Sequence, residues 1–291
     1  MMKLRSPLFA PGDSERKAAK ALAGDADAVI LDLEDSVAPS AKDAARAMVA
    51  ALVSTTARPN VLVRINPPGT QWYLADLAAV VPARPVAVML PKCGGPEDLA
   101  ALDHHLEALE AASGQEPGTI GVLPLVTETA SGVLALTHYR GAMRRLLGLC
   151  FGAEDLSGDI GITTRTSVGS YAAPVAAARA MMVLAATTCG VAALDTPWPD
   201  PRDPIGLARE AAAAYADGFS GKLCIHPDQI GPVNSAFTPD AATLEWARRV
   251  RDGFAANGVS GVFTLDGKMI DQPHLKQARR LLAAVGEAVT D

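Results

Sequence analysis

Short runs rich in Val, Ile and Leu alternate along the chain with longer Ala-rich stretches that carry charge at helical spacing, which reads as strand followed by helix, repeated. The apolar runs predict strands at Leu4–Phe9, Ala28–Leu33, Val61–Ile65, Ala87–Leu90, Thr119–Val126, Leu146–Phe151, Val191–Leu194 and Gly221–Ile225. The stretches between them predict helices near 14–23, 40–55, 70–80, 96–112, 129–140, 171–188 and 204–217. Eight strands with helices between them predict an α/β fold closed into a (β/α)8 barrel, because closure removes the unpaired edges of an open parallel sheet. Local punctuation agrees: Pro96 opens a helix whose first turn holds Glu97 and Asp98, and Gly190 stops the Ala-rich helix before the seventh strand.

Beyond the eighth strand the pattern changes. A helix is expected from about Pro239 to Ala256, then a Gly-rich piece with Gly258 and Gly261, then a last helix from Pro273 to Val289. The expected organisation is a catalytic barrel over residues 1–231 and a C-terminal helical extension over 232–291. The extension is too short to bury much core of its own and reads as a lid or subunit contact.

At 291 residues with 49% apolar content, the chain is the size of one such barrel. Its net charge of −6, with Lys and Arg scattered, argues against a nucleic-acid groove or a polybasic membrane patch and leaves a small molecule as the expected partner. The apolar run near the start is too short for a signal-peptide core and no later run spans a bilayer, so a cytoplasmic protein is expected. Cys93, Cys150, Cys189 and Cys224 lie far apart in apolar surroundings and are expected to be reduced, buried thiols.

The candidate chemistry sits where strands end. Gly121–Gly132 and Leu146–Gly158 each run a short apolar strand into a carboxylate, Glu128 in the first and Asp155 in the second. In a parallel α/β protein ligands bind at the carboxyl ends of the strands, so acids delivered there by successive strands can share one small space. A divalent cation such as Mg2+ satisfies both with hard oxygen ligands, where two bare carboxylates would push each other's pKa values apart. The other strand ends add Glu34 and Asp35, Arg64 and Asn66, Lys92, Asp195 and His226. Asp32 and Glu34 alternate with apolar neighbours and suit the orientation of a metal-bound water or of an Arg. Arg64, on an otherwise apolar strand, requires an anion, supplied by the protein or by a substrate carboxylate. Lys92 suits a substrate charge, a Schiff base or an ion pair with a rim acid. Three glycines around Asp155, from Gly152 to Gly161, suggest a loop that brings backbone N–H groups to a ligand. Gly218–Lys222 lacks the spacing and the hydroxyl residue of a phosphate loop, and the histidines lack the companions of a zinc site.

Taken in order, Arg5–Gly12, Asp27–Val37, Val63–Asn66, Glu128–Leu134, Gly152–Leu156, His226–Ile230 and Asp266–Asp271 resemble the citrate lyase β-subunit-like enzymes of the HpcH/HpaI aldolase group, whose members include malyl-CoA and citramalyl-CoA lyases. The resemblance covers nearly the whole chain. It implies a TIM barrel of the phosphoenolpyruvate/pyruvate superfamily, with Mg2+ held by Glu128 and Asp155 and a substrate carboxylate gripped by Arg64. It further implies that Asp271, in the extension, is the catalytic acid closing over a neighbouring subunit's site, in a homotrimer or a multiple of one. Glu34, Asp35 and Lys92 match positions that line the site and are expected to bind substrate. Thr127, where the family commonly has Ile, and Trp198, in the loop after the seventh strand, depart from the pattern.

The implied reaction is a retro-aldol or Claisen-type cleavage of a 3-hydroxy-dicarboxyl acyl thioester (citryl-CoA, malyl-CoA or citramalyl-CoA) into an acyl-CoA and an α-keto acid such as oxaloacetate. The three thioesters differ by a methyl or carboxymethyl group, a choice made by pocket shape, and the carrier is CoA or an acyl-carrier protein. Two readings compete with it: a Schiff-base aldolase using Lys92 or Lys222, and a non-catalytic paralogue that only binds the keto acid or acyl-CoA.

Overall fold

The computed structural model describes residues 2–257 and 261–287. They fall into two compact units, Met1–Asn234 and Ser235–Asp291.

In the first unit the strands are β1 (Pro7–Pro11), β2 (Ala28–Asp32), β3 (Val61–Arg64), β4 (Ala87–Leu90), β5 (Gly121–Pro124), β6 (Gly148–Cys150), β7 (Ala192–Asp195) and β8 (Gly221–Lys222). The helices between them are α1 (Glu15–Leu22), α2 (Lys42–Thr55), α3 (Tyr73–Val80), α4 (Pro96–Ala112), α5 (Ala130–Ala135), α6 (Ala153–Ile160), α7 (Ala173–Cys189) and α8 (Pro204–Ala216), and α9 (Ile230–Ala236) follows. Strands β1 to β5 form one parallel ladder in sequence order, and β6 to β8 form another. Two seams join them into a ring. Between β5 and β6, Val122 N–H donates to Arg145 O (2.8 Å), Leu147 N–H to Val122 O (3.0 Å) and Val126 N–H to Cys150 O (3.1 Å). Between β8 and β1, Phe9 N–H donates to Cys224 O (2.9 Å) and Cys224 N–H to Pro7 O (2.8 Å). The expected (β/α)8 barrel is thus closed by backbone hydrogen bonds.

The ring is filled by Ala28, Ile30, Leu62, Ala87, Met89, Leu123, Leu125, Cys150, Leu194 and Leu223, buried side chains that face one another across it. Side chains alternate along a strand, so the next inward positions toward the carboxyl end are Asp32 beyond Ile30 and Arg64 beyond Leu62. Polar chemistry begins one layer above the apolar plug.

The expected and observed elements differ in several places. Arg5 N–H is drawn to the Asp27 carboxylate (3.0 Å), so the ladder of β1 starts at Pro7 and not at Leu4. The segment Gly152–Gly161, read as a loop, is helix α6: Gly152 is its extended N-cap and Gly161 its left-handed C-cap at φ 72°. Glycines that bracket a short helix look, in sequence, like glycines within a loop. The Gly-rich piece of the tail contains a hairpin, as the second unit shows.

That unit consists of α10 (Ala241–Asn257), the antiparallel pair β9 (Phe263–Leu265) and β10 (Lys268–Ile270), and α11 (Gln272–Ala284). The hairpin turns at Asp266 and Gly267, both left-handed at φ 50° and 75°, as a tight two-residue turn requires. Ala247, Val250, Phe254, Ile270, Leu275, Ala278 and Leu282 form the core, with Phe254 edge-on to Phe263 at 5.2 Å. Gly258 and the expected end of the last helix lie outside the described residues. Among the described residues no helix is long and apolar enough to cross a membrane.

Candidate active site

Strand β2 delivers Asp32, Glu34 and Asp35. Asp32 is buried, and its two oxygens accept the N–H groups of Glu34 (2.8 Å) and Ser36 (3.1 Å), bending the chain sharply out of the strand. The same carboxylate takes a bidentate grip from Arg64, Nε at 2.7 Å and Nη2 at 2.8 Å. Burial works against both charges, yet this pairing outweighs it, holding the Asp32 pKa below the usual carboxylate range and the guanidinium firmly charged. Arg64 also lies over the Phe9 ring (4.8 Å to its centroid), and its remaining nitrogen, Nη1, is 2.9 Å from Glu34 Oε2. The anion that Arg64 requires therefore comes first from the protein, and the edge suited to a forked grip on a substrate carboxylate is occupied by Asp32.

Lys92, two residues beyond the end of β4, stands at the centre of the acids. It has a left-handed backbone, φ 50°, uncommon for a side chain of this size. That turn lets its amide N–H donate to Glu128 Oε2 while its ammonium reaches Glu34 Oε1. Asp35 and Asp155 each lie 3.7 Å from the same Nζ. Burial alone would lower the Lys92 pKa, but the hydrogen bond and charge of Glu34 raise it, keeping the ammonium protonated. Glu34 itself is pushed up by burial, partly offset by Arg64 and Lys92.

Glu128 follows β5 and Asp155 occupies the first turn of α6, after β6. Glu128 is 3% exposed, and burial, followed by the neighbouring Asp155 charge, pushes its pKa up to about 8. A β-carbon at Gly152 would lie 2.5 Å from Glu128 Cγ, so only glycine lets the acid lie against the start of α6. Thr127 Oγ1 accepts the Gly152 N–H at 3.0 Å and Thr196 Oγ1 the Ala153 N–H at 3.4 Å. The hydroxyl at 127 thus fastens the helix that carries Asp155. Asp159 further ties α6 to the start of α5 through Ala130 N–H (2.8 Å).

Of the sequence-derived candidates, Glu34, Asp35, Arg64, Lys92, Glu128 and Asp155 come together, whereas Asn66, Asp195 and His226 do not. Asp195 follows the inward Leu194 and so faces the helices, where it pairs with the fully buried Lys222 (2.7 Å) and with Arg179 (3.1 Å). Lys222 is therefore outside the barrel mouth and no candidate for imine chemistry. His226 caps the turn Pro227–Gln229 by accepting the Asp228 N–H at 3.2 Å. Cys93, next to Lys92, has its pKa pushed up to about 11 by burial and is not a nucleophile. Trp198 packs against Arg165, whose guanidinium also stacks on Tyr171. In the second unit Asp271 is the N-cap of α11, and its Oδ1 lies 2.5 Å from His274 Nδ1. Among the described residues no three His, Cys, Asp or Glu side chains group to hold a metal on their own. Residues that the sequence reading missed, Lys42 above all, act through bonds between distant segments.

A closed (β/α)8 barrel with buried acids and cations crowded at the carboxyl ends of its strands is the architecture of a barrel enzyme. The HpcH/HpaI aldolase/citrate lyase profile matches residues 5–227, and the chain belongs to that family. It is 38% identical over 286 residues to a citrate lyase subunit beta-like protein of Mycobacterium tuberculosis, covering 98% of this chain and 96% of the relative. It is 33% identical over 299 residues to the mitochondrial citramalyl-CoA lyase of Mus musculus, covering 96% and 85%. Among solved structures, the M. tuberculosis protein CitE in complex with magnesium, acetoacetate and coenzyme A superposes with a TM-score of 0.79 at 36% identity, covering 97% of this chain and 98% of that one.

Proposed function

We propose that the chain is a magnesium-dependent carbon–carbon lyase that cleaves a 3-hydroxy-dicarboxyl acyl thioester to an acyl-CoA and an α-keto acid. The observation that carries this reading is the convergence of Glu34, Asp35 and Asp155 on the Lys92 ammonium at the strand ends, with Glu128 on the amide N–H of the same residue and held anionic only at a cost. With Asp32 included, five acids face the two cations Arg64 and Lys92, an excess of negative charge that a small divalent cation would offset. The donors fit magnesium, an ion that ordinarily keeps its remaining positions for water and substrate oxygens: they are two carboxylates with hard oxygen atoms, one buried and one partly open to solvent. The family relatives named as a citramalyl-CoA lyase and as a magnesium, acetoacetate and coenzyme A complex point the same way.

In this reading Glu128 and Asp155 hold the ion, which when bound polarises the keto-acid oxygens and stabilises the charge that develops as the bond breaks. Arg64, with Nε and Nη2 held by Asp32, would meet the substrate carboxylate through Nη1, which Glu34 shares. Glu34 and Asp35 hold Lys92 charged beside the substrate carboxylate. Asp271 moves the proton at the acyl-CoA carbon, supplied from the C-terminal unit of a neighbouring copy in a homo-oligomer, a trimer or a multiple of one. Arg16 and Lys17, exposed on α1 just beyond the carboxyl end of β1, are the cations offered to the thioester's phosphates. A soluble cytoplasmic setting goes with this reading.

The test is turnover of citryl-, malyl- and citramalyl-CoA with magnesium and with EDTA, alongside borohydride trapping. Magnesium-dependent release of oxaloacetate, glyoxylate or pyruvate is expected, with no reduced adduct at Lys92, because its raised pKa leaves little free amine for an imine. EDTA-resistant turnover with a trapped Lys92 would establish the Schiff-base aldolase instead.

A second expectation concerns pH. Ion binding requires the Glu128 carboxylate, so with a metal-free pKa of about 8 the affinity should climb from pH 6 to 8 and then level off. Calorimetry in buffers of different ionisation enthalpy should register proton release at pH 7 that disappears in Glu128→Gln. For the protein without divalent ions the sign is opposite. Its folded-state value of about 8 lies above the ordinary 4.5, so this group's contribution to stability is complete below about pH 4.5 and is lost as pH rises through 8. Proton release unchanged in the Gln variant would remove Glu128 from the ligand set.

A further inference from the structure

We propose that Lys42 is a positioning residue for this site, its buried ammonium fixing the ends of β2 and β3 and thereby the Glu34 carboxylate and the Arg64 guanidinium. The inference rests on the lyase reading above, since it assigns Lys42 a part in the same substrate site.

Lys42 opens α2 and is 6% exposed. Its Nζ donates to Leu33 O (2.6 Å), Glu34 O (2.8 Å) and Asn66 Oδ1 (2.7 Å), which uses all three ammonium hydrogens. Two of these acceptors are the backbone carbonyls where β2 ends, and the third belongs to the residue two beyond Arg64. Asn66 closes the other half of the bridge: its side-chain amide donates to Leu33 O (2.9 Å) and Asp76 Oδ2 (2.6 Å), and its backbone N–H donates to the same Asp76 oxygen (2.9 Å). Arg46 Nε then holds Asp76 Oδ1 at 2.8 Å. The chain Arg46–Asp76–Asn66–Lys42 thus runs from helices α2 and α3 into the two strand exits that present Glu34 and Arg64. The Lys42 ammonium also lies 5.2 Å from the Trp72 ring centroid, tying in the loop before α3.

Energetics argue that this is more than packing. A buried ammonium whose direct acceptors are all neutral is expensive to desolvate, and its removal would take a donor from three buried acceptors. What the ammonium supplies is direction. Three short donors leave the carbonyls of residues 33 and 34 one arrangement, and the Glu34 side chain springs from the second of them.

The experiment compares Lys42→Met with Val53→Ala, a truncation on the buried face of the same helix and away from the bridge. Each is measured for Tm and for binding of oxaloacetate, glyoxylate and pyruvate in the presence of magnesium. Both variants should lose Tm, but only Lys42→Met should weaken keto-acid binding, by about 10-fold or more, in the range found when partners that orient a site are removed. Lys42→Arg, which restores charge and donors, should recover part of that loss. If Lys42→Met fails to fold, Asn66→Ser takes its place, with a weakening of several-fold expected. Equal affinities for the Lys42 (or Asn66) variant and Val53→Ala would overturn the inference while leaving the lyase reading standing. A wild-type protein that binds none of the three keto acids with magnesium would overturn both.

Discussion

Asp155→Ala is expected to fold like the wild type and to lose at least about 10^3-fold in kcat/KM, equivalent to about 4 kcal/mol of transition-state stabilisation. The two halves of that statement have different causes. Asp155 is 38% exposed in its side chain and, among the described residues, its one ion pair is with the Lys92 ammonium, at 3.7 Å, so no buried partner is orphaned when it goes. Its removal should change stability by roughly 0.5 kcal/mol or less, as for most surface substitutions. Turnover fails because Glu128 alone, buried and reluctant to ionise, is left as the only strand-end acid of the pair. Circular dichroism, Tm and steady-state kinetics over magnesium concentration separate the two effects. A well-folded variant with wild-type turnover would remove the metal pair from the mechanism.

Asp195→Ala should behave in the opposite way, unfolding the protein readily while sparing the chemistry of whatever remains folded. Lys222 and Asp195 are both wholly inaccessible, and the ammonium would keep only Glu210, at 3.4 Å. Breaking one side of a buried pair typically costs about 3–5 kcal/mol, which for a chain of this length lowers Tm on the order of 10 °C. Replacing both partners with apolar residues, Asp195→Leu with Lys222→Met, should recover a large part of that loss, since it removes the unpaired charge itself. Thermal and urea unfolding of the single and double variants provide the measurement. A single variant within a degree of wild type would mean that Arg179 and Glu210 reorganise to hold the charge.

The contrast between these acids marks how far the site was legible in the sequence. Both stand at the end of an apolar strand, and strand-end position alone put both on the rim. The deciding variable is parity: Leu194 faces the barrel interior, so the next residue faces the helices, whereas Asp32 and Arg64 keep step with Ile30 and Leu62. Elements with strong local signals were readable to the residue, such as β4 at Ala87–Leu90 and α4 at Pro96–Ala112, where proline at the first turn fixes the start. The hairpin β9–β10 was not, since strands of three residues are too short to display alternation. Nor was the pairing of Arg64 with Asp32, or the bridge from Lys42 to Asn66, because each joins residues 24 or more positions apart and depends on strand register.

The joint between β5 and β6 bears on how this barrel would respond to its ion. Hydrogen bonds there come from Val122, Leu147 and Val126 without forming a continuous ladder, and Glu128 and Asp155 stand on opposite banks of that gap. An ion shared by the two acids would act as a clasp on one of the two seams that close the ring, next to the mouth. Occupancy would then be felt as tension around the whole hoop, so that ring cohesion and catalytic readiness rise and fall together.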